Sequence, residues 1–246
     1  YENEHQTKQY VFAPQNVGDS INSKDLEYYP SVTIDGKTLV FTRRVNGRNE
    51  DFFVSEHTGD SWSKARGIDG DINSSFNEGA QNISQDGQWL VFTGCNFPEG
   101  FGSCDLFFSY KTKKGWSIPE NMGDRINTGF WESSPSLSPD KRELYFSSDR
   151  PGGYGGKDIY VSRRMPDGRW SKPENLGPKI NTSGDESCPF IHADNQTMYF
   201  TSNGLMGYGG DDLFLARKKS DGSWDYVENL GYPINTIENE GSLIVA

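Results

Sequence analysis

Short runs of alternating apolar and polar residues recur along the chain, and no segment sustains the 3.6-residue apolar period of an amphipathic helix. The clearest runs are Thr38–Thr42, Trp89–Thr93, Glu143–Ser147 and Thr197–Thr201, each carrying Phe next to its last residue. Aliphatic and aromatic enrichment of this kind suits half-buried strands. A turn signal precedes each run: Asp35-Gly36, Asp86-Gly87, Pro139-Asp140 and Asp194-Asn195. A strand is predicted before each turn, at Tyr29–Thr33, Gly79–Ile83, Ser134–Leu137 and Cys188–His192. A third follows at Asp51–Ser55, Asp105–Tyr110, Asp158–Arg163 and Asp212–Ala216. A fourth is predicted at Trp62–Arg66, Trp116–Pro119, Trp170–Pro173 and Trp224–Val227. Successive strands joined this way run antiparallel, so each unit is a four-stranded meander.

The units hold a fixed period. The Asn of an Ile-Asn pair falls at Asn22, Asn73, Asn127, Asn181 and Asn235, with gaps of 51, 54, 54 and 54. Phe41, Phe92, Phe146 and Phe200 keep the same spacing, and Trp62, Trp116, Trp170 and Trp224 are 54 apart. A period of this size with several short strands per unit predicts an all-β propeller of four-stranded antiparallel blades. Four blades are expected at about 23–70, 71–123, 124–177 and 178–231. Residues 9–22 resemble the end of a unit and 232–246 the start of one. They are expected to share a partial fifth blade, with Gly241–Val245 as its first strand and its second and third strands lacking. Residues 1–8 read as a polar linker, and 9–246 as a single domain.

Composition agrees. Hydrophobic residues make up only 33% of the 246, yet aromatics reach 13% and there are 28 glycines, which suits thin sheets joined by tight turns. The formal net charge of -11 argues against nucleic acid, whose phosphates need a basic surface. No run of 18 apolar residues is present, so no direct membrane insertion by a helix is expected. The chain opens Tyr-Glu-Asn-Glu-His without a signal peptide and reads as a mature chain or an excised fragment. Cys95 and Cys104 should face each other across the neck of one hairpin loop and form a disulfide, contributing roughly 2–3 kcal/mol by loop closure. The alternative is two free thiols. Cys188 is the odd one, expected to be buried and inert.

Strand alternation sorts the connections between two faces. Short Asp-Gly turns go to one. The longer loops at 94–103, 149–157 and 203–211 go to the other, with every link that ends in Ile-Asn. Binding is expected on that loop face. Glu27, Glu78, Glu132, Glu186 and Glu240 enter the innermost strands there and would ring the channel mouth. Such a ring can hold a hard cation, or each carboxylate can accept bonds from the adjoining link. A repeated position usually answers a repeated structural need, so no metal is assigned. Asp51, Asp105, Asp158 and Asp212 head the third strands and are expected to tie the Gly-rich loops by Asx-type bonds. The glycine pairs Gly152-Gly153, Gly155-Gly156 and Gly209-Gly210 are expected to supply left-handed turns. Phe97, Phe101, Tyr154 and Tyr208 on these loops would suit sugar stacking, or would pack over neighbouring blades. Arg43, Arg44 and Arg48 replace the Gly-rich loop in the first unit.

Catalytic motifs are thin. There is no Gly-x-Ser-x-Gly elbow and no His-Glu-x-x-His. The three histidines lie in unlike contexts, no cofactor motif is present, and the chain is expected not to be an enzyme.

The segment Ser136–Asp140, then Leu144–Arg150, then Gly-Gly-Tyr-Gly-Gly-Lys-Asp-Ile-Tyr160 resembles the WD-like propeller repeat of the TolB type. The trailing Trp170-Ser-Lys-Pro-Glu-Asn-Leu-Gly and Ile-Asn-Thr182 are similar to the propeller region of large OmpA-family proteins of Bacteroidetes-like bacteria, some of them in the type IX secretion and gliding apparatus. The resemblance implies a periplasmic, outer-membrane-associated scaffold with protein partners in the cell envelope. It brings no catalytic residues. Peptidoglycan would be reached only through a domain absent from this chain. The rival expectation is a carbohydrate-binding or glycan-cleaving propeller.

Overall fold

The computed structural model describes residues 13–245. The linker expected at 1–8 and the start of the partial blade at 9–12 lie outside them. The described residues form no helix and four antiparallel sheets arranged as propeller blades, as the hydrophobic pattern predicts. Blade one holds β1 (Leu26–Val32), β2 (Thr38–Val45), β3 (Asn49–Thr58), β4 (Ser61–Trp62) and β5 (Arg66–Gly67). Blade two holds β6 (Asn77–Ile83), β7 (Trp89–Cys95), β8 (Cys104–Thr112), β9 (Gly115–Trp116) and β10 (Glu120–Asn121). Blade three holds β11 (Glu132–Leu137), β12 (Glu143–Ser148), β13 (Asp158–Arg163) and β14 (Glu174–Asn175). Blade four holds β15 (Glu186–Ile191), β16 (Thr197–Ser202), β17 (Asp212–Lys218) and β18 (Trp224–Asn229).

Each inner strand carries a bulge against its neighbour. The bulge turns one residue into the left-handed region: Tyr29, Ala80, Ser134 and Cys188, with φ of 51°, 45°, 53° and 50°. A non-glycine residue there costs roughly 1–2 kcal/mol, so four repeats of it mark a required bend. Ser242 repeats it at φ 56°, and all five residues line one narrow central passage. No strand is assigned to 241–245, nor to 13–22, and neither segment joins a sheet among the described residues.

The fourth strand of blade four is found where predicted, and those of blades one to three differ from their predicted places. In blades two and three, pairing resumes only at β10 and β14, past Pro119 and Pro173, which have no N–H for the ladder. In blade one the equivalent residue, Ala65, donates its N–H to the Ser20 carbonyl instead. Blade four has Val227 at that position, and β18 runs unbroken for six residues.

The core lies between blades. Val40 and Phe52 of blade one pack with Leu90, Phe92 and Phe107 of blade two. Val91 and Leu106 of blade two pack with Leu144 and Phe146 of blade three. Tyr145 and Ile159 of blade three pack with Met198, Phe200 and Trp224 of blade four. The Ile-Asn pairs lock each blade edge. The Asn181 side chain accepts the Ile159 N–H at 2.8 Å and donates to the Ile159 carbonyl at 2.9 Å, standing in for a strand partner. Asn73, Asn127 and Asn235 do the same to Phe52, Leu106 and Leu213.

Candidate functional site

The links and the second-to-third-strand loops share one face, and the glycines of the loops set their contact. A Cβ on Gly155 would lie 1.9 Å from the Gly184 carbonyl oxygen in the next link. One on Gly153 would lie 1.7 Å from an Asp158 oxygen. These glycines permit close approach, and of the pairs expected to supply left-handed turns only Gly152 has a positive φ. The expectation is corrected for the others: crowding by neighbouring carbonyls at Gly155 and Gly209, and by the side chains of Asp158, Asp185 and Asn239 at Gly153, Gly156 and Gly210, requires glycine there, not backbone handedness.

The third-strand aspartates hold the loops. Asp105 accepts the N–H of Phe101 at 2.9 Å, Asp158 that of Tyr154 at 3.0 Å, and Asp212 that of Tyr208. The residue anchored in each loop is thus the aromatic one. All three rings are open to solvent, with Phe101 52%, Tyr154 51% and Tyr208 45% exposed. Phe130, Met206 and Ile237 are exposed on the same face and were not singled out in the sequence. They lie in links and a loop flank where the repeat varies, and only their apolar character in a polar context marked them. Phe97 is different. It is half-buried against Phe76 and Phe107, with ring centroids 5.2 and 4.6 Å away, so it is a core residue and not a presented one.

The glutamates are occupied by their own links. Each accepts the hydroxyl of the Ser or Thr four residues before it: Ser23 to Glu27 at 2.6 Å, Ser74 to Glu78, Thr128 to Glu132 at 2.6 Å, Thr182 to Glu186 at 2.6 Å and Thr236 to Glu240 at 2.5 Å. Glu78, Glu132 and Glu186 are fully buried and do not face the channel mouth as an open ring. Arg150 also bonds Glu132 at 3.1 Å and the Ile126 carbonyl at 2.7 Å. Arg43 does the same to Glu27 and the Ile21 carbonyl, both at 2.7 Å, with its guanidinium 4.2 Å from the Phe53 ring centroid. Arg43 is thus a fixture of the fold. Arg44 pairs with Glu50 at 2.7 Å, and Arg48 is exposed beside a tight turn at Asn46 and Gly47.

The disulfide Cys95–Cys104 is formed, at the neck of the loop that presents Phe101. In blades three and four that neck is tied otherwise. Asp149 accepts the Trp131 N–H and Asn203 the Asp185 N–H, both at 2.8 Å. Cysteine offers no such acceptor, and the disulfide takes the place of the tie. Cys188 is half-buried, not buried as expected, with Sγ 3.7 Å from the Tyr29 hydroxyl in the central passage.

No family model matches the sequence, and no curated protein matches it. Solved structures do. TolB from Acinetobacter baumannii superposes with a TM-score of 0.58 at 16% identity, over 86% of this chain and 45% of that one. The α-L-arabinofuranosidase PaAbf62A from Podospora anserina, in complex with cellotriose, gives 0.53 at 12% identity, over 90% of this chain and 72% of that one. A thermostable family-43 glycoside hydrolase gives 0.54 at 14%, over 88% and 76%. The chain spans less than half the length of that TolB chain. These likenesses show a TolB-like propeller fold. The expectation that the chain is not an enzyme is overturned as an inference from architecture, because glycoside hydrolases carry the same propeller.

Proposed function

We propose that the loop face of this propeller is a protein-recognition surface. The observation that carries the proposal is the set Phe101, Tyr154 and Tyr208, each exposed while its own N–H is fixed by a third-strand aspartate. Ordering the backbone beforehand lowers the entropy cost of binding, and exposed aromatic rings supply large contact area. The disulfide supports a periplasmic setting, since such bonds persist in oxidising compartments. The resemblance to OmpA-family propellers supports an envelope-anchoring or secretion and gliding assembly as the partner class.

A second reading is favoured by the same rings, whose faces would stack on sugars. A photo-crosslinking amino acid placed at Tyr154 or Tyr208 in the native envelope separates the two. Protein adducts from these positions, and none from Asp167 on the turn face, are expected. Glycan adducts alone would support the second reading and refute the first.

A further inference from the structure

The three aromatic loops share a feature beyond their rings. Each also carries a carboxylate that pairs with no cation among the described residues: Glu99 in the loop of Phe101, Asp149 in the loop of Tyr154, where it accepts the Trp131 N–H, and Asp211 in the loop of Tyr208. At two other places on this face, one of them at the end of the Tyr154 loop, aromatic and acidic residues already hold a cation between them. Lys157 Nζ lies 5.1 Å from the Trp131 ring centroid and 3.6 Å from Asp185. Arg44 lies 6.0 Å from the Tyr28 ring centroid and 2.7 Å from Glu50. An ammonium or guanidinium is attracted to the negative face of an aromatic ring, and a nearby carboxylate adds to that attraction. The face thus shows two filled aromatic–carboxylate sites and, on three consecutive blades, an exposed ring whose loop holds a carboxylate paired with no cation; the cations of the loop at 149–157, Arg150 and Lys157, are committed to Glu132 and Asp185.

We propose that these loops bind a lysine- or arginine-bearing protein segment that also offers apolar side chains. Met206 and Ile237, exposed by 86% and 82%, supply the apolar contact. Complementary charge selects the partner: an acidic segment would place like charges against Glu99, Asp149, Asp211 and the unpaired Glu238. The proposal rests on the recognition reading of this face and names the chemistry of its partner.

The test is fluorescence anisotropy with a labelled peptide of four Lys-Leu-Gly repeats, set against one of four Glu-Leu-Gly repeats. The lysine peptide should bind at least ten-fold more tightly. Binding should fall at least ten-fold in E99Q/D149N/D211N and in F101S/Y154S/Y208S. The turn-face variant D60N/D167N/D221N has the same net charge as the first and should lose less than two-fold. Circular dichroism melts check that each variant is folded. An equal loss in the turn-face variant would show attraction to the overall negative charge and overturn the proposal, as would absence of lysine-peptide binding. If crosslinks to protein from Tyr154 persist while the lysine peptide fails, the recognition face stands and its cation specificity falls.

Discussion

At Glu78 the fold keeps a carboxylate with less support than its counterparts. Glu132 and Glu186 also accept Ser148 and Ser202 hydroxyls, at 2.9 and 2.6 Å, and Glu132 has Arg150 as well. The matching residue in blade two is Gly94, where a Cβ would lie 2.8 Å from the Phe107 ring, so no serine fits. Burial, with a smaller push from the Asp51 charge, raises the Glu78 carboxyl to about 7 from its ordinary 4.5, against the bonds from Ser74 and its own backbone N–H. The folded state then holds a proton that the unfolded state has released between those two pH values. Stability from this group is full below about pH 4.5 and is lost as pH rises through about 7. Urea unfolding between about pH 5 and about pH 8 should show that decline, and Glu78→Gln should flatten it, gaining about 1 kcal/mol at the alkaline end. An unchanged slope in the variant would assign the decline elsewhere. Asn181→Ala leaves the Ile159 N–H without a partner in a buried place, while the Ile159 carbonyl keeps the Leu176 N–H at 3.1 Å. It should cost about 1–3 kcal/mol by the same measurement, and a loss below about 0.5 kcal/mol would contradict the strand-mimic role.

Among the elements, the hairpins decide what the face presents. The period, the strand types and the aspartate ties of blades two to four were legible in the sequence because each answers a repeated local need, whereas Asp51, expected to tie the loop of blade one, lies inside β3 and accepts the Asn49 side-chain amide at 2.9 Å instead. The fourth strands of blades one to three were not legible, since their start depends on where Pro119, Pro173 and Ala65 send or lack an N–H. Phe97 and Phe101 look alike in sequence, four residues apart, and only packing against Phe76 and Phe107 separates the buried ring from the exposed one. Arg43 likewise read as a surface group until Glu27 and the Ile21 carbonyl accounted for it. The blade-two neck gives an element-scale prediction. Cys95→Ala/Cys104→Ala should lose about 2 kcal/mol. Cys95→Asn/Cys104→Asp copies Asn203 and Asp211 of blade four, restores an acceptor for the Asn77 N–H, and should recover about half of that loss or more. Hydrogen exchange at Phe101 and Gly102 should be faster in the first variant than in the second. Equal exchange in both would show that the neck does not control the loop.

Across the whole molecule, rigidity and recognition are assigned to different residues. Glutamate, asparagine and aspartate fixtures recur in the blades and hold the ring, while the exposed rings contribute nothing to the buried core. The architecture itself is shared with TolB and with glycoside hydrolases, so what this chain does must lie in the loops and not in the fold. The division is tested most directly by Phe101→Ser/Tyr154→Ser/Tyr208→Ser, with thermal melting and native-envelope crosslinking from position 237 measured on the same variant. The account predicts a midpoint shifted by less than about 3 °C, as for surface substitutions that cost little, with crosslinks to protein reduced at least ten-fold. A large fall in the midpoint with crosslinking retained would contradict it.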